Sequence, residues 1–171
     1  MGFVRRDAAG NGSPRRADDT GASAVEFALV VPLLIMLVFG IIQFGMTFAQ
    51  ILSLNNASRQ AARVGVVGLN NCGTLMAQIQ QATTGTIGLK FPLTVTVTRG
   101  GAAVCTATVT PTTVSYSPGV GSATTVACPT GNSTQSLSVA TTSSGTFAIP
   151  PFIFISNYQV KGNGVYQCEL S

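Results

Sequence analysis

Residues 22–42, ASAVEFALVVPLLIMLVFGII, form a run of 21 residues in which Ser23 and Glu26 are the only polar interruptions. Wound as a helix at about 1.5 Å per residue, such a run spans roughly 30 Å, the thickness of a bilayer's hydrocarbon core. Whatever else the chain does, it must accommodate one membrane crossing. The apolar region of a secretory signal peptide is only about 7–15 residues long and is followed by a small-x-small cleavage site, so this run is too long for one. Pro32 lies inside it, where the missing N–H and the ring clash predict a kink. Gly40 and Gly45 leave room for a second helix to approach closely.

The flanks set the direction of crossing. Residues 1–21 are rich in Gly, Asp, Arg and Pro, a composition that cannot bury enough apolar surface to fold alone and so reads as a disordered leader. Arg5, Arg6, Arg15 and Arg16 precede the run, and positively charged flanks stay in the cytoplasm, which sends the rest of the chain outward. Beyond the run the helical pattern continues through Phe48, Ile51, Leu52 and Ala62, with Arg59 and Arg63 on a polar face. The predicted helix covers residues 23–64, about 60 Å if unbroken, with Gly65 and Gly68 as stop signals. A shorter helix is expected over 72–82.

The period then changes from helical to alternating. In PLTVTVT, residues 92–98, Leu93, Val95 and Val97 fall on one face and threonines on the other. Arg99-Gly100-Gly101 offers a turn into AAVCTATVT, residues 102–110, so a hairpin is predicted. Further strands are expected at 135–142, 146–155 and 157–168, the middle one interrupted by Pro150-Pro151. Residues 111–134 read as a long loop. The fold class is α+β: a long N-terminal transmembrane helix, then a small antiparallel sheet. The length of 171 residues has room for one domain plus an anchor. The divisions are a leader at 1–21, a transmembrane helix at 22–45, its continuation as a stalk at 46–68, and an exported head at 69–171.

Composition excludes several functions. There is no His, and without residues 1–21 the chain carries two carboxylates, Glu26 and Glu169, against Arg59, Arg63, Lys90, Arg99 and Lys161, a net charge of +3. Five scattered cations do not make the clustered basic face that nucleic acid needs. Catalysis needs a positioned base and usually a second titratable group beside it, and the head supplies neither, so no enzyme and no small-molecule substrate is expected. Gly100-Gly101 and the glycines of GNG at 162–164 lack the strand-to-helix setting of a phosphate loop and read as turns or a bulge. No cofactor is implied. Cys72, Cys105, Cys128 and Cys168 have no C-x-x-C spacing and no His partner, which argues against a metal site. Their even count in an exported head predicts two disulfides with three pairings open, of which Cys72–Cys168 with Cys105–Cys128 is preferred.

The residue that calls for explanation is Glu26. A carboxylate inside a membrane helix costs about 2.5–3.5 kcal/mol on insertion scales, so it needs a partner or a role. Cleavage between Gly21 and Ala22 would create one, because an α-amino group with a pKa near 8 is largely cationic at neutral pH. Glu26 of one subunit could then pair with the Ala22 amine of a neighbour, an arrangement that specifies register more than it stabilises. The competing reading has Glu26 shallow enough to reach the headgroups.

In TGASAVEFALVVPLL, a Gly is followed by four residues and then by Glu and an aromatic at the head of an apolar run. This pattern resembles the processing site of Flp-type prepilins and of the TadE-like pseudopilins of the tight-adherence system. The likeness is strongest over residues 21–45 and extends through the AARVG of 61–65; YQVKGNGVYQCE at 158–169 is similar to the closing strand of such proteins. A Flp major pilin would be much shorter and would lack the head. The resemblance implies that a prepilin peptidase of the membrane-embedded aspartyl type cuts after Gly21. It makes Ala22 the first mature residue and Glu26-Phe27 the recognised pair. It further implies a pilin-like fold and partners among other pilin or pseudopilin subunits, for which the positions read above from the helix itself, Ala22, Glu26, Pro32, Gly40 and Gly45, are the expected packing contacts. The location it implies is the bacterial inner membrane, single-pass with the N-terminus in the cytoplasm, with entry into a surface pilus and a role in adhesion beyond that. The alternative is an uncleaved envelope protein whose β-rich head binds a ligand or partner.

Overall fold

The computed structural model describes residues 19–131, 134–147 and 156–169. The predicted leader up to residue 18, and the part of the predicted 146–155 strand from residue 148 onward, lie outside the described residues, while leader residues 19–21 are helical rather than disordered. The chain divides into two compact units, residues 1–40 and 41–171. Helix α1, Asp19–Val66, begins in the first and ends in the second.

In the first unit the described structure is the N-terminal half of α1, which remains helical through Pro32. Its large apolar side chains point outward all round, with Phe27 70% and Leu29 75% exposed.

The second unit places the rest of α1 and helix α2, Cys72–Thr83, against one antiparallel sheet. The strands are β1 Leu93–Arg99, β2 Ala102–Val109, β3 Val114–Tyr116, β4 Ser136–Phe147 and β5 Ser156–Gln167, in the order β3-β2-β1-β4-β5. Alternation puts Leu93, Val95 and Val97 of β1, Cys105, Ala107 and Val109 of β2, and Leu137 and Val139 of β4 into the core. The intervening threonines of β1 and β2 form the opposite face. Leu75, Met76 and Ile79 of α2 complete the core. Gly100 and Gly101 join β1 to β2 with φ of 56° and 86°, the pair of left-handed residues that a type I′ hairpin turn requires. The register shifts between Val97 and Thr98.

Five further sequence expectations change. The strand expected to end at 142 runs unbroken to Phe147, so β4 takes in the start of the strand expected at 146–155. α1 does not stop at Gly65: that glycine is buried, and a Cβ there would lie 2.6 Å from Leu137 Cδ2, so it is kept small by packing. The helix ends one residue later, where the Asn70 side-chain amide donates to the carbonyls of Val64 (2.8 Å) and Val67 (2.6 Å) and Gly68 takes φ 71°, a left-handed C-terminal stop. The 111–134 stretch is not wholly loop. It contains β3, and an isolated bridge between Asn71 and Val126 ties it to the start of α2, supported by Cys72 N–H to Thr125 O at 2.9 Å and Gly73 N–H to Ala123 O at 2.8 Å.

The two disulfides pair Cys72 with Cys105 and Cys128 with Cys168, not the preferred Cys72–Cys168 and Cys105–Cys128. The N-terminus of α2 sits over the inner face of β2, which brings Cys72 to Cys105 with Cα atoms 6.6 Å apart. The residues that follow β5 bring Cys168 to Cys128 with Cα atoms 5.7 Å apart. Finally, the glycines of GNG are neither turn nor bulge. Gly162 and Gly164 are in-register strand residues of β5, opposite Thr141 and Val139, and they face α1.

Candidate membrane anchor and assembly segment

A helix on the surface of a globular domain is apolar along one stripe and polar on the other. From Gly21 to Ala49, α1 has no continuous polar face, its polar side chains there being Ser23, Glu26, Gln43 and Thr47. Leu33 is 69%, Ile41 65% and Phe44 76% exposed. Apolar on every side and largely uncovered, this stretch suits lipid or other apolar helices. It is long and apolar enough to cross a membrane once, which points to a single-pass anchor.

From Gln50 the same helix changes character. Leu54, Ala57, Ser58, Ala61, Ala62, Gly65 and Val66 are buried, a stripe at helical spacing made mostly of small residues. Facing it, β5 presents Gly162 and Gly164, where a Cβ would overlap the backbone of Leu54 and lie 2.6 Å from Arg59 Cα respectively. Small residues on both sides let the backbones of helix and strand meet. Polar groups caught in the contact are satisfied. The Ser58 hydroxyl donates to Thr141 Oγ1 at 2.9 Å, Gln50 Nε2 donates to Gly88 O at 2.8 Å, and the Tyr158 hydroxyl donates to Gln50 Oε1 at 3.2 Å.

The sequence-derived site residues fall along this helix. Gly21, Ala22, Glu26 and Phe27 occupy its first turns, all exposed. Ala22 and Glu26 are four residues apart, about one turn, so they share a face. Pro32 is exposed, and a Cβ added at Gly21, Gly40 or Gly45 would meet nothing within 4 Å. These positions are therefore open to a neighbour. Sequence reasoning missed the contact between the small stripe and Gly162/Gly164. Its signal was the period-two spacing of the two glycines in β5, set against the run of small residues at 57, 58, 61, 62 and 65.

The other concavities carry less chemistry. An open cleft of about 470 Å³ is lined by Gln60, Arg63, Val64, Val67, Asn70 and Gln78, with Arg63 its one charged group. Among the described residues no group of three or more His, Cys, Asp or Glu could hold a metal.

Residues 21–63 match the family model described as TadE-like protein. No curated protein and no solved structure matches the chain. The chain thus carries a TadE-like segment over 21–63, while α2, the sheet and both disulfides lie beyond the matched residues.

Proposed function

We propose that this chain is a TadE-like pseudopilin, a minor pilin that acts in the biogenesis of a tight-adherence pilus and in surface attachment. The observation that carries the reading is the exposed apolar half of α1 within a segment that matches the TadE-like family. Proteins of that family are structural components of pili, and a structural role is the one proposed here.

In this reading a prepilin peptidase removes residues 1–21. The mature chain is then divided into a transmembrane helix at 22–45, a stalk at 46–68 and an exported head at 69–171. Glu26 and Phe27 guide recognition by the peptidase, and Glu26 then meets the new Ala22 amine of a neighbouring subunit. Pro32, Gly40 and Gly45 shape the helix face on which subunits pack. The precursor sits in the bacterial inner membrane with its arginine-bearing end in the cytoplasm.

The test is N-terminal sequencing of the native protein from cells with an active processing machinery. A chain beginning at Ala22 supports the reading, and an intact leader defeats it. Gly21→Leu should abolish processing while leaving membrane insertion intact, because the added side chain lies where the peptidase must grip. Normal maturation of that variant would remove Gly21 from the site.

A further inference from the structure

The loop between α2 and β1 holds an apolar residue out in the open. Ile87 is 79% exposed, although a single exposed isoleucine is ordinary on a protein surface. Three observations set this one apart.

The first is that the loop is built. Ser53 and Thr86 share a hydroxyl hydrogen bond at 2.7 Å, Gly88 O accepts from Gln50, and Lys90 O accepts from the Ser143 hydroxyl at 2.7 Å. Leu89 is buried on one side of the tip. Gly85 and Gly88 take φ of 90° and 76°, a backbone that L side chains rarely adopt. The tip is thus anchored on both flanks with its one large apolar side chain turned outward.

The second is its level along α1. A Cβ at Gly88 would lie 3.9 Å from Met46 Sδ, and its carbonyl is bonded to Gln50. Met46 follows the end of the apolar run at Ile42 by four residues, about 6 Å of helix. The headgroup layer occupies roughly 5–8 Å on each side of the hydrocarbon core. Phe44 and Phe48, 76% and 54% exposed, extend apolar surface over the same interval.

The third is charge. Lys90 is exposed beside the tip. The acidic residue of this unit, Glu169, lies at the far end of the α1 contact, where its N–H donates to Val66 O.

We propose that the Gly85–Lys90 loop is a lipid-contacting foot: Ile87 enters the headgroup layer on the head's side of the membrane, and Lys90 reaches lipid phosphates. This rests on the reading that residues 22–42 cross the bilayer. Lys near an anionic surface contributes favourably, and its long stem lets the ammonium reach outward.

The chain has no Trp, so one introduced indole reports only on its own position. Full-length protein carrying Ile87→Trp, Leu34→Trp or Ala102→Trp is reconstituted into phosphatidylcholine–phosphatidylglycerol vesicles with and without acyl-chain-brominated lipid. Ala102 follows the β1–β2 turn and is exposed. The expected result is that Ile87→Trp emits at shorter wavelength than Ala102→Trp and loses emission to brominated lipid, while Ala102→Trp does not. Quenching of Leu34→Trp with none at Ile87→Trp overturns the foot and leaves the anchor standing. A short-wavelength emission at Ile87→Trp that brominated lipid fails to quench also overturns it, pointing to a second copy of the chain as the occupant. No quenching at Leu34→Trp defeats the anchor and the foot together.

Discussion

The two halves of α1 differ in what they ask of their neighbours. Residues 21–49 carry Phe, Leu, Ile and Val outward in every direction, whereas the buried positions from 50 onward are mainly Ala, Ser and Gly. Large side chains suit a medium that closes around any shape. Small ones suit a fixed partner whose backbone must come close, here the Gly162 and Gly164 positions of β5. Glycine therefore has opposite consequences in the two regions: open space at Gly40, and direct contact at Gly164.

Valine substitutions test that contrast most severely. Gly164→Val should prevent the head from closing, since backbone rather than a flexible side chain occupies the space, with a loss of about 3 kcal/mol or more. Gly40→Val should leave head stability unchanged and weaken only association between subunits. Urea unfolding in mild detergent, followed by tyrosine near-ultraviolet circular dichroism, reads the first effect, and co-purification of pilin subunits reads the second. Equal stability losses would erase the distinction.

Leucine truncations give a smaller version of the same comparison. Leu54→Ala removes a fully buried side chain and should cost about 2–5 kcal/mol in the same unfolding assay. Leu34→Ala, at a position 55% exposed, should change it by less than about 0.5 kcal/mol. The smallest loss among the buried positions is expected for Ser58→Ala, which breaks one buried hydrogen bond to Thr141 and should cost about 1 kcal/mol. A neutral result there would mean that Thr141 finds another donor.

The sequence made the anchor and most strands legible because each is written locally. The apolar run needs only its length, and β1 and β2 need only the alternation of apolar residues and Thr with Gly100-Gly101 between them. The disulfide pairing was not legible, since it depends on where α2 and the segment after β5 come to rest. β3 and the Asn71–Val126 bridge were hidden by a Ser/Thr-rich composition that loops share. Gly162 and Gly164 misled for a related reason: a glycine that bends a chain and one that admits another backbone look the same in one dimension. The site residues from Gly21 to Gly45 were read from pattern, and the structure adds that their surroundings are open.

β5 meets α1 through residues 108 positions apart in sequence, as in the Tyr158–Gln50 and Asn163–Asn55 hydrogen bonds. During synthesis, which runs from the N-terminus, the helix therefore emerges long before the strand that covers it. Its alanine-lined side must wait, wet and unmatched, until residues 156–168 have been made, so a chain cut short before them keeps its secondary structure and has no lock.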